Sequence, residues 1–213
     1  MAKYAGRDLV LRAGGTAMSV TSVASTDIFT AGVTHNLAAG DIVTFLSLTG
    51  GAGLVQFKRY YVIAAGLTAT AFAVSTTPGG SSFDHTTNVT AGSFAKMTPV
   101  GQVTALGNAG SSRDLIDASA YGDAWKDYVV GQQDGTEVEV ELALDPLLAG
   151  QTALKTAYDA GTSTEFEMQH AAAGFYIRFP ALVTKWERGG EREGVLQAAA
   201  TLKVLNPGVT DAP

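Results

Sequence analysis

The stretch 135–145 reads GTEVEVELALD, and it is the segment that most narrows what the chain can fold into. Glu137, Glu139 and Glu141 alternate with Val138, Val140 and Leu142. Successive side chains of a strand point to opposite faces. The apolar set, continued by Leu144, therefore enters a core while the three carboxylates stand in one line on the other side. Like charges in a line repel, so that face must be wet. It is either an ordinary solvated sheet face or a surface with an electrostatic task.

The same short, bounded patterning recurs along the chain. Residues 42–48, 59–64 and 69–75 are β-branched or aromatic runs enclosed by Ala39-Gly40-Asp41, Gly50-Gly51 and Pro78-Gly79-Gly80, which reads as strands and turns. VGQVTALG and SRDLIDASA read as extended segments, and YGDAWKDYVVG, 121–131, as a short helical turn stopped by Gly131. Residues 145–161, DPLLAGQTALKTAYDAG, carry the one helix signal. Asp145 can cap it, Pro146 fits its first turn, Leu147, Leu154 and Tyr158 share a face, and Gly161 ends it. Gly150 weakens its start, so a continuous helix is expected from Gln151. TEFEMQH, FYIRFPALVTKWERG and REGVLQAAATLKVLN read as three closing strands, with Phe166, Met168, Tyr176, Phe179, Leu182, Val183, Trp186, Val195, Leu196, Leu202 and Val204 as core candidates. The expected class is mainly β: antiparallel sheets with one helix packed against them.

Charge divides the chain. Residues 1–24 carry Lys3, Arg7 and Arg12 against Asp8, a net +2, whereas 25–98 are neutral and 99–213 carry −8. The middle segment is expected to be a small β unit of its own, with only a marginal core for its size. Across all 213 residues charged side chains make up 16%, below the roughly 25% usual for soluble domains. That fits a surface covered by partners, or a Ser/Thr-coated β surface. The net charge of −6 argues against gripping nucleic acid through its phosphates. The chain has no cysteine, which excludes disulfides and thiolate chemistry. The start, MAKYAGRDLVLRAGG, lacks the apolar run of a signal peptide, and no window approaches the length of a transmembrane helix.

Catalytic signals are sparse. His35, His85 and His170 have no metal-ligand spacing and read as exposed or singly hydrogen-bonded side chains. Asp114 and Asp117 fall on opposite faces of a strand, and no nucleophile elbow, phosphate loop or dinucleotide fingerprint occurs. Glu187, Arg188, Glu191, Arg192 and Glu193 in WERGGEREG suggest a hairpin tip, either solvated or ion-paired to another subunit. Trp125 and Trp186 read as core residues. Tyr60, Tyr61 and Phe83 form the one aromatic cluster that a carbohydrate-binding module would use.

Four pieces, taken in order, resemble the tail tube (major tail) proteins of long-tailed bacteriophages: MAKYAGRDLVLRAG, LIDASAYGDAWKDYVVGQQDGTEVEVELALD, LLAGQTALKTAYDAG and GFYIRFPALVTKWERGGEREGVLQAAATLKVLNPG. The resemblance covers 1–24 and 99–213. It implies a β-sandwich with a flanking helix and no enzyme activity, cofactor or metal. It further implies rings, usually hexameric, stacked into a hollow tube in the virion tail, assembled in the host cytoplasm, through which double-stranded DNA passes without binding. Other tail proteins, such as the tape measure, terminator and distal tail proteins, would be partners, with no membrane involved. Glu137, Glu139 and Glu141 would face the lumen. Lys3, Tyr4, Arg7, Glu187, Arg188, Glu191 and Arg192 would contact neighbouring subunits. Residues 25–98 resemble a small β module of phage structural proteins that decorates exteriors. The alternatives are another virion component (capsid decoration, tail terminator or baseplate protein) and a non-assembling carbohydrate-binding β module.

Overall fold

The computed structural model describes residues 9–119, 125–170, 175–189, 196–205 and 209–211. In chain order the elements are β1 (Leu9–Gly14), β2 (Met18–Val23), β3 (Ile28–Ala31), β4 (Ile42–Gly50), β5 (Tyr60–Ile63), β6 (Ala71–Ser75), β7 (Val89–Pro99), β8 (Val103–Leu106), β9 (Ser111–Asp117), β10 (Tyr128–Gly135) and β11 (Glu137–Ala143). The helix α1 (Ala149–Ala160) follows, then β12 (Thr164–His170), β13 (Phe175–Gly189), β14 (Gln197–Val204) and β15 (Val209–Asp211). The protein is mainly β and antiparallel, with one helix among the described residues. It divides into two compact units, one of Met1–Pro99, Glu167–Tyr176 and Asp211–Pro213, the other of Val100–Phe166 and Ile177–Thr210.

The first unit is built on a closed barrel. Its strands run β2-β3-β6-β5-β4-β7, and β7 pairs back onto β2. Closure satisfies the backbone groups that an open sheet would leave at its edges. Phe29, Phe45, Phe72, Phe94 and Tyr60 are fully buried inside, with Val20, Val43, Val62, Val74 and Val89. The rings interlock, Phe72–Phe94 at 4.8 Å and Phe29–Phe45 at 5.0 Å between centroids. Each such side chain contributes about 1.5–3 kcal/mol on burial, which is how so small a unit acquires a real core. Gly50 turns the chain at φ 84°, where a Cβ would lie 2.1 Å from the Asn88 carbonyl oxygen.

The barrel begins earlier than the composition suggests. A boundary at 24/25 falls between β2 and β3, which pair from Val20↔Ala31 to Val23↔Ile28. The chain enters and leaves the barrel where the Gly15 amide donates to the Lys96 carbonyl at 2.8 Å. Composition registers charge, not pairing, and MSVTSV is as charge-free as IFTA of β3, which it joins.

The second unit holds an antiparallel sheet in the order β13-β14-β11-β8, the helix α1, and a separate ribbon of β9 with β10. Val138, Val140, Leu142, Leu154, Phe166, Phe179, Val183, Leu202 and Val204 are among its buried residues. Of the expected core residues, Leu182 and Trp186 are half-buried and Leu196 is exposed, while Val195 lies outside the described residues.

α1 starts at Ala149, two residues ahead of the expected Gln151, and Leu148 at its N-cap makes no side-chain bond. Asp145 does not cap it; its carboxylate accepts the Leu147 amide instead, at 3.0 Å. The Gln151 side chain accepts the Asp145 amide and donates to the Ala143 carbonyl, both at 2.9 Å. The helix therefore buries Gly150, Gln151, Leu154 and Ala157. Leu147, which precedes the first turn, is 92% exposed, and Tyr158 is exposed too, so the expected Leu147–Leu154–Tyr158 face does not form. Gly161 closes the helix in the left-handed region at φ 59°.

The expected helical turn at 121–131 is also corrected. From Tyr128 the chain is strand β10, and the register shifts between Val130 and Gln133. Gly131 marks that irregularity, not a helix stop, since a Cβ there would sit 3.1 Å from the Asp114 carbonyl oxygen. Residues 120–124 lie outside the described ones. Trp125 is 88% exposed and belongs to no core.

Candidate functional site

The three glutamates of β11 occupy the position their alternation implies. Glu137, Glu139 and Glu141 are exposed, while Val138, Val140 and Leu142 are buried and Leu144 is half-buried. Their side chains follow one another at about 7 Å along the strand. In water, adjacent charges at that spacing repel by about 0.6 kcal/mol. Each buried partner residue returns about 1.5–3 kcal/mol, so the dry side decides the strand's orientation and the acid side tolerates it.

The neighbouring strands leave the row unneutralised. Glu137 lies opposite Lys203 in register, Glu139 opposite Thr201 and Glu141 opposite Ala199. Lys203 turns its ammonium to Asp134 at 2.8 Å, and this hydrogen bond and charge hold the Asp134 carboxyl below its ordinary range. On β13, Lys185 lies opposite Thr201 and pairs with Glu187 at 3.0 Å. Both lysines beside the row are thus engaged elsewhere. Among the described residues none forms an ion pair with Glu137, Glu139 or Glu141.

The sheet brings two groups of expected site residues together. Glu141 on β11 and Glu187 on β13 flank the same residue, Ala199, so they stand two strand spacings apart, about 10 Å. With Arg188, Thr104 and Gln197 they line an open hollow of about 470 Å³. Gly189 stands opposite Gln197, which fits a β13–β14 hairpin. Lys3, Tyr4, Arg7, Glu191 and Arg192 lie outside the described residues.

Several polar arrangements escaped the sequence reading. In the first unit Glu167 is fully buried and binds two guanidiniums, Arg59 Nη2 at 2.5 Å and Arg12 Nη1 at 3.1 Å. Arg12 also donates to Gln169 at 2.6 Å, and Arg59 stacks 4.0 Å from the centre of the Tyr176 ring. Burial pulls both guanidiniums toward neutrality. At Arg59 the bonds and charge of Glu167 outweigh it and the pKa rises, whereas at Arg12 burial prevails and it falls. No local pattern signals a contact between residues 108 apart. In the second unit, burial raises Glu165, opposed by the charge of Arg178.

The histidines are more enclosed than expected. His35 is buried, accepting the Leu37 amide at 3.1 Å with its other nitrogen 3.3 Å from the Ala71 carbonyl. His85 is fully buried, 2.6 Å from the Ser22 hydroxyl and stacked on Phe29. Tyr60 is buried in the barrel core with Phe83 packed against it, so with Tyr61 they form no exposed aromatic platform for a sugar.

The β9–β10 ribbon is the largest feature that sequence reasoning missed. Leu115, Ile116, Tyr128, Val129 and Val130 are all exposed on it, with Trp125 nearby. The signal was present, since the apolar pairs Leu115-Ile116 and Val129-Val130 of SSRDLID and YVVGQQDG sit among polar residues.

No family model and no curated protein matches the chain. Among solved structures, the chain is similar to a chain of the virion of a native gene transfer agent particle (11% identity, TM-score 0.47, covering 55% of this chain and 89% of that one). It is similar also to the SPP1 tail tube (17%, 0.40, 52% and 66%). A third likeness is to a chain of the anti-feeding prophage baseplate (9%, 0.42, 84% and 97%). At these scores the likeness carries no functional weight.

Proposed function

We propose that the protein is a structural component of a virion tail that assembles into stacked rings, forming a tube through which DNA is delivered. The sequence resemblance of the four pieces supports the family. The uncompensated row Glu137–Glu139–Glu141 carries the mechanism. Three carboxylates per subunit multiply around a ring and line the bore with negative charge. DNA carries about one negative charge per 1.7 Å of axis, so a basic wall would bind it and an acidic wall keeps it mobile. Glu187 and Arg188, with Lys3, Tyr4, Arg7, Glu191 and Arg192, are proposed to contact neighbouring subunits. The barrel between Gly15 and Lys96 is proposed to stand on the tube exterior.

The test is replacement of all three glutamates by lysine. The buried side of β11 is untouched, so the fold and the polymers are expected to persist while DNA ejection from assembled particles slows or stops. Normal ejection, or an assembled tube showing these side chains on its outer surface, would remove the lumen role.

A further inference from the structure

The barrel meets the rest of the first unit at a narrow joint. The chain crosses it at Gly15 and Lys96; β1 stops at Gly14, and only β7 runs through as one strand. Past the crossing β1 and β7 pair at three positions, from Gly14↔Met97 to Arg12↔Pro99. So narrow a ribbon is free to bend and twist. Arg59 spans the joint. It belongs to the barrel segment, just ahead of β5, yet its Nε and Nη2 meet Glu167 of β12 at 3.3 and 2.5 Å. Its guanidinium lies 4.0 Å from the centre of the Tyr176 ring at the start of β13, and its backbone amide donates to the Tyr176 hydroxyl at 3.4 Å. Arg12 of β1 binds the same Glu167 oxygen at 3.1 Å.

Strength alone does not account for these groups. Two guanidiniums share one carboxylate, which leaves positive charge in excess where Arg59 is 6% exposed and Glu167 fully buried. Well-packed apolar side chains of similar volume often hold such a site as firmly or more so. They differ in direction. Apolar surfaces slide and turn on each other, whereas a two-pronged bond fixes the guanidinium within its plane and the ring beneath fixes it across that plane. We propose that Arg59, Glu167 and Tyr176 form an orientation lock, which holds the barrel at one angle to β1 and β12 in a way that an apolar contact of equal strength would not. The angle is a property of the single chain, so the lock does not depend on the assembly proposed above.

The chain has no cysteine, so two nitroxide labels can report the angle in the full-length protein by pulsed electron spin resonance. One sits on Thr30→Cys, exposed on β3, and the other on Pro99→Cys, exposed beyond the crossing and opposite Arg12. With the cluster intact the distance distribution should have one narrow maximum. Arg59→Met cuts the bond from the barrel and leaves Glu167 paired with Arg12. The triple variant Arg12→Met, Arg59→Met, Glu167→Leu makes the whole cluster apolar. Both should lose the narrow maximum, while the urea midpoint of the triple variant stays at or above that of the wild type. Arg59→Lys keeps the charge without the fork and should not restore the maximum. A narrow, unshifted maximum in Arg59→Met, Arg59→Lys or the folded triple variant overturns the lock, as does a broad distribution with the cluster intact. A folded triple variant less stable than the wild type would show that the ions add strength and not direction. If the triple variant does not fold, Arg59→Met decides alone.

Discussion

Replacing Glu167 by Gln removes the negative charge shared by the buried guanidinium of Arg59 and the half-buried one of Arg12. In the wild type, Arg59 grips the carboxylate through Nη2 at 2.5 Å and Nε at 3.3 Å, and Arg12 binds the same Oε1 at 3.1 Å. Glutamine keeps the volume and one acceptor oxygen but leaves Arg12 and Arg59 repelling each other without a counter-charge. Breaking a buried pair from one side costs about 3–5 kcal/mol, and the retained acceptor places this change near 3. With a urea dependence of about 2 kcal/mol per molar, the midpoint falls by about 1.5 M. The two tryptophans lie in the second unit, whereas Tyr60, Tyr61 and Tyr176 lie in the first. Tyr128 and Tyr158 lie in the second unit, so the assay is near-UV circular dichroism in the tyrosine region beside tryptophan fluorescence, and the part of the tyrosine transition that departs from the fluorescence belongs to the first unit. The charge argument makes a second demand. Arg59→Met should cost less in the Glu167→Gln background than alone, with a coupling of about 1–3 kcal/mol. A tyrosine-monitored midpoint that moves by less than about 0.3 M, or strictly additive costs, refutes the reasoning.

Gly135→Ala should cost about 2 kcal/mol or more, read as a lower urea midpoint by Trp186 fluorescence, because its Cβ would fall 1.8 Å from the Val204 carbonyl oxygen and backbone cannot step aside; an unchanged midpoint would show that the ribbon base is looser than its geometry. Deleting residues 16–95 and joining Gly15 to Lys96, which already share a hydrogen bond, should leave a soluble chain that retains its helical circular dichroism and its assembly, with Glu167 still bound by Arg12. Aggregation of that variant, or loss of assembly with the fold intact, would count against a separable exterior barrel.

What could be read from the sequence was what repeats locally. Alternation placed Val138, Val140 and Leu142 inside and the glutamates outside, because burial of one face fixes register. Gly161 ended the helix because only a residue free to take positive φ does so without strain. The strand FYIRFPALVTKWERG runs over its whole expected length as β13. What could not be read depends on partners distant in sequence. MSVTSV joins the barrel through strands on either side of it, not through its own composition. In YVVGQQDG, Gly131 looks like a helix stop unless the opposing Asp114 is known. The Arg59–Glu167 bond joins the residue just ahead of β5 to a strand residue 108 positions on, and neither has a local reason to be buried. Trp125 was misplaced for a different reason. Hydrophobicity assigns it to a core, whereas the bend ahead of β10 leaves it exposed.

The distribution of charge between the units ties these features together. In the first, Lys3, Arg7, Arg12, Lys58, Arg59 and Lys96 balance Asp8, Asp27, Asp41, Asp84, Glu167 and Asp211, so its net charge is zero and the whole −6 belongs to the second unit. Much of the first unit's charge is spent internally, as in Lys96–Asp41 at 2.6 Å and the two arginines on Glu167. It carries no net charge. In the second unit Lys203 and Lys185 are engaged by Asp134 and Glu187, and the β11 carboxylates are left over. Their spacing of about 7 Å is shorter than the screening length of about 8 Å at physiological salt, so they act as one line of charge. On an open surface that line matters little, since a polyanion stays farther away than the screening length. Within the narrow bore proposed above a polyanion could not retreat, and every subunit of such a ring would add its own line. The row has consequences only where geometry confines DNA against it, and for that reason the lysine replacement should leave folding intact and act on transit alone.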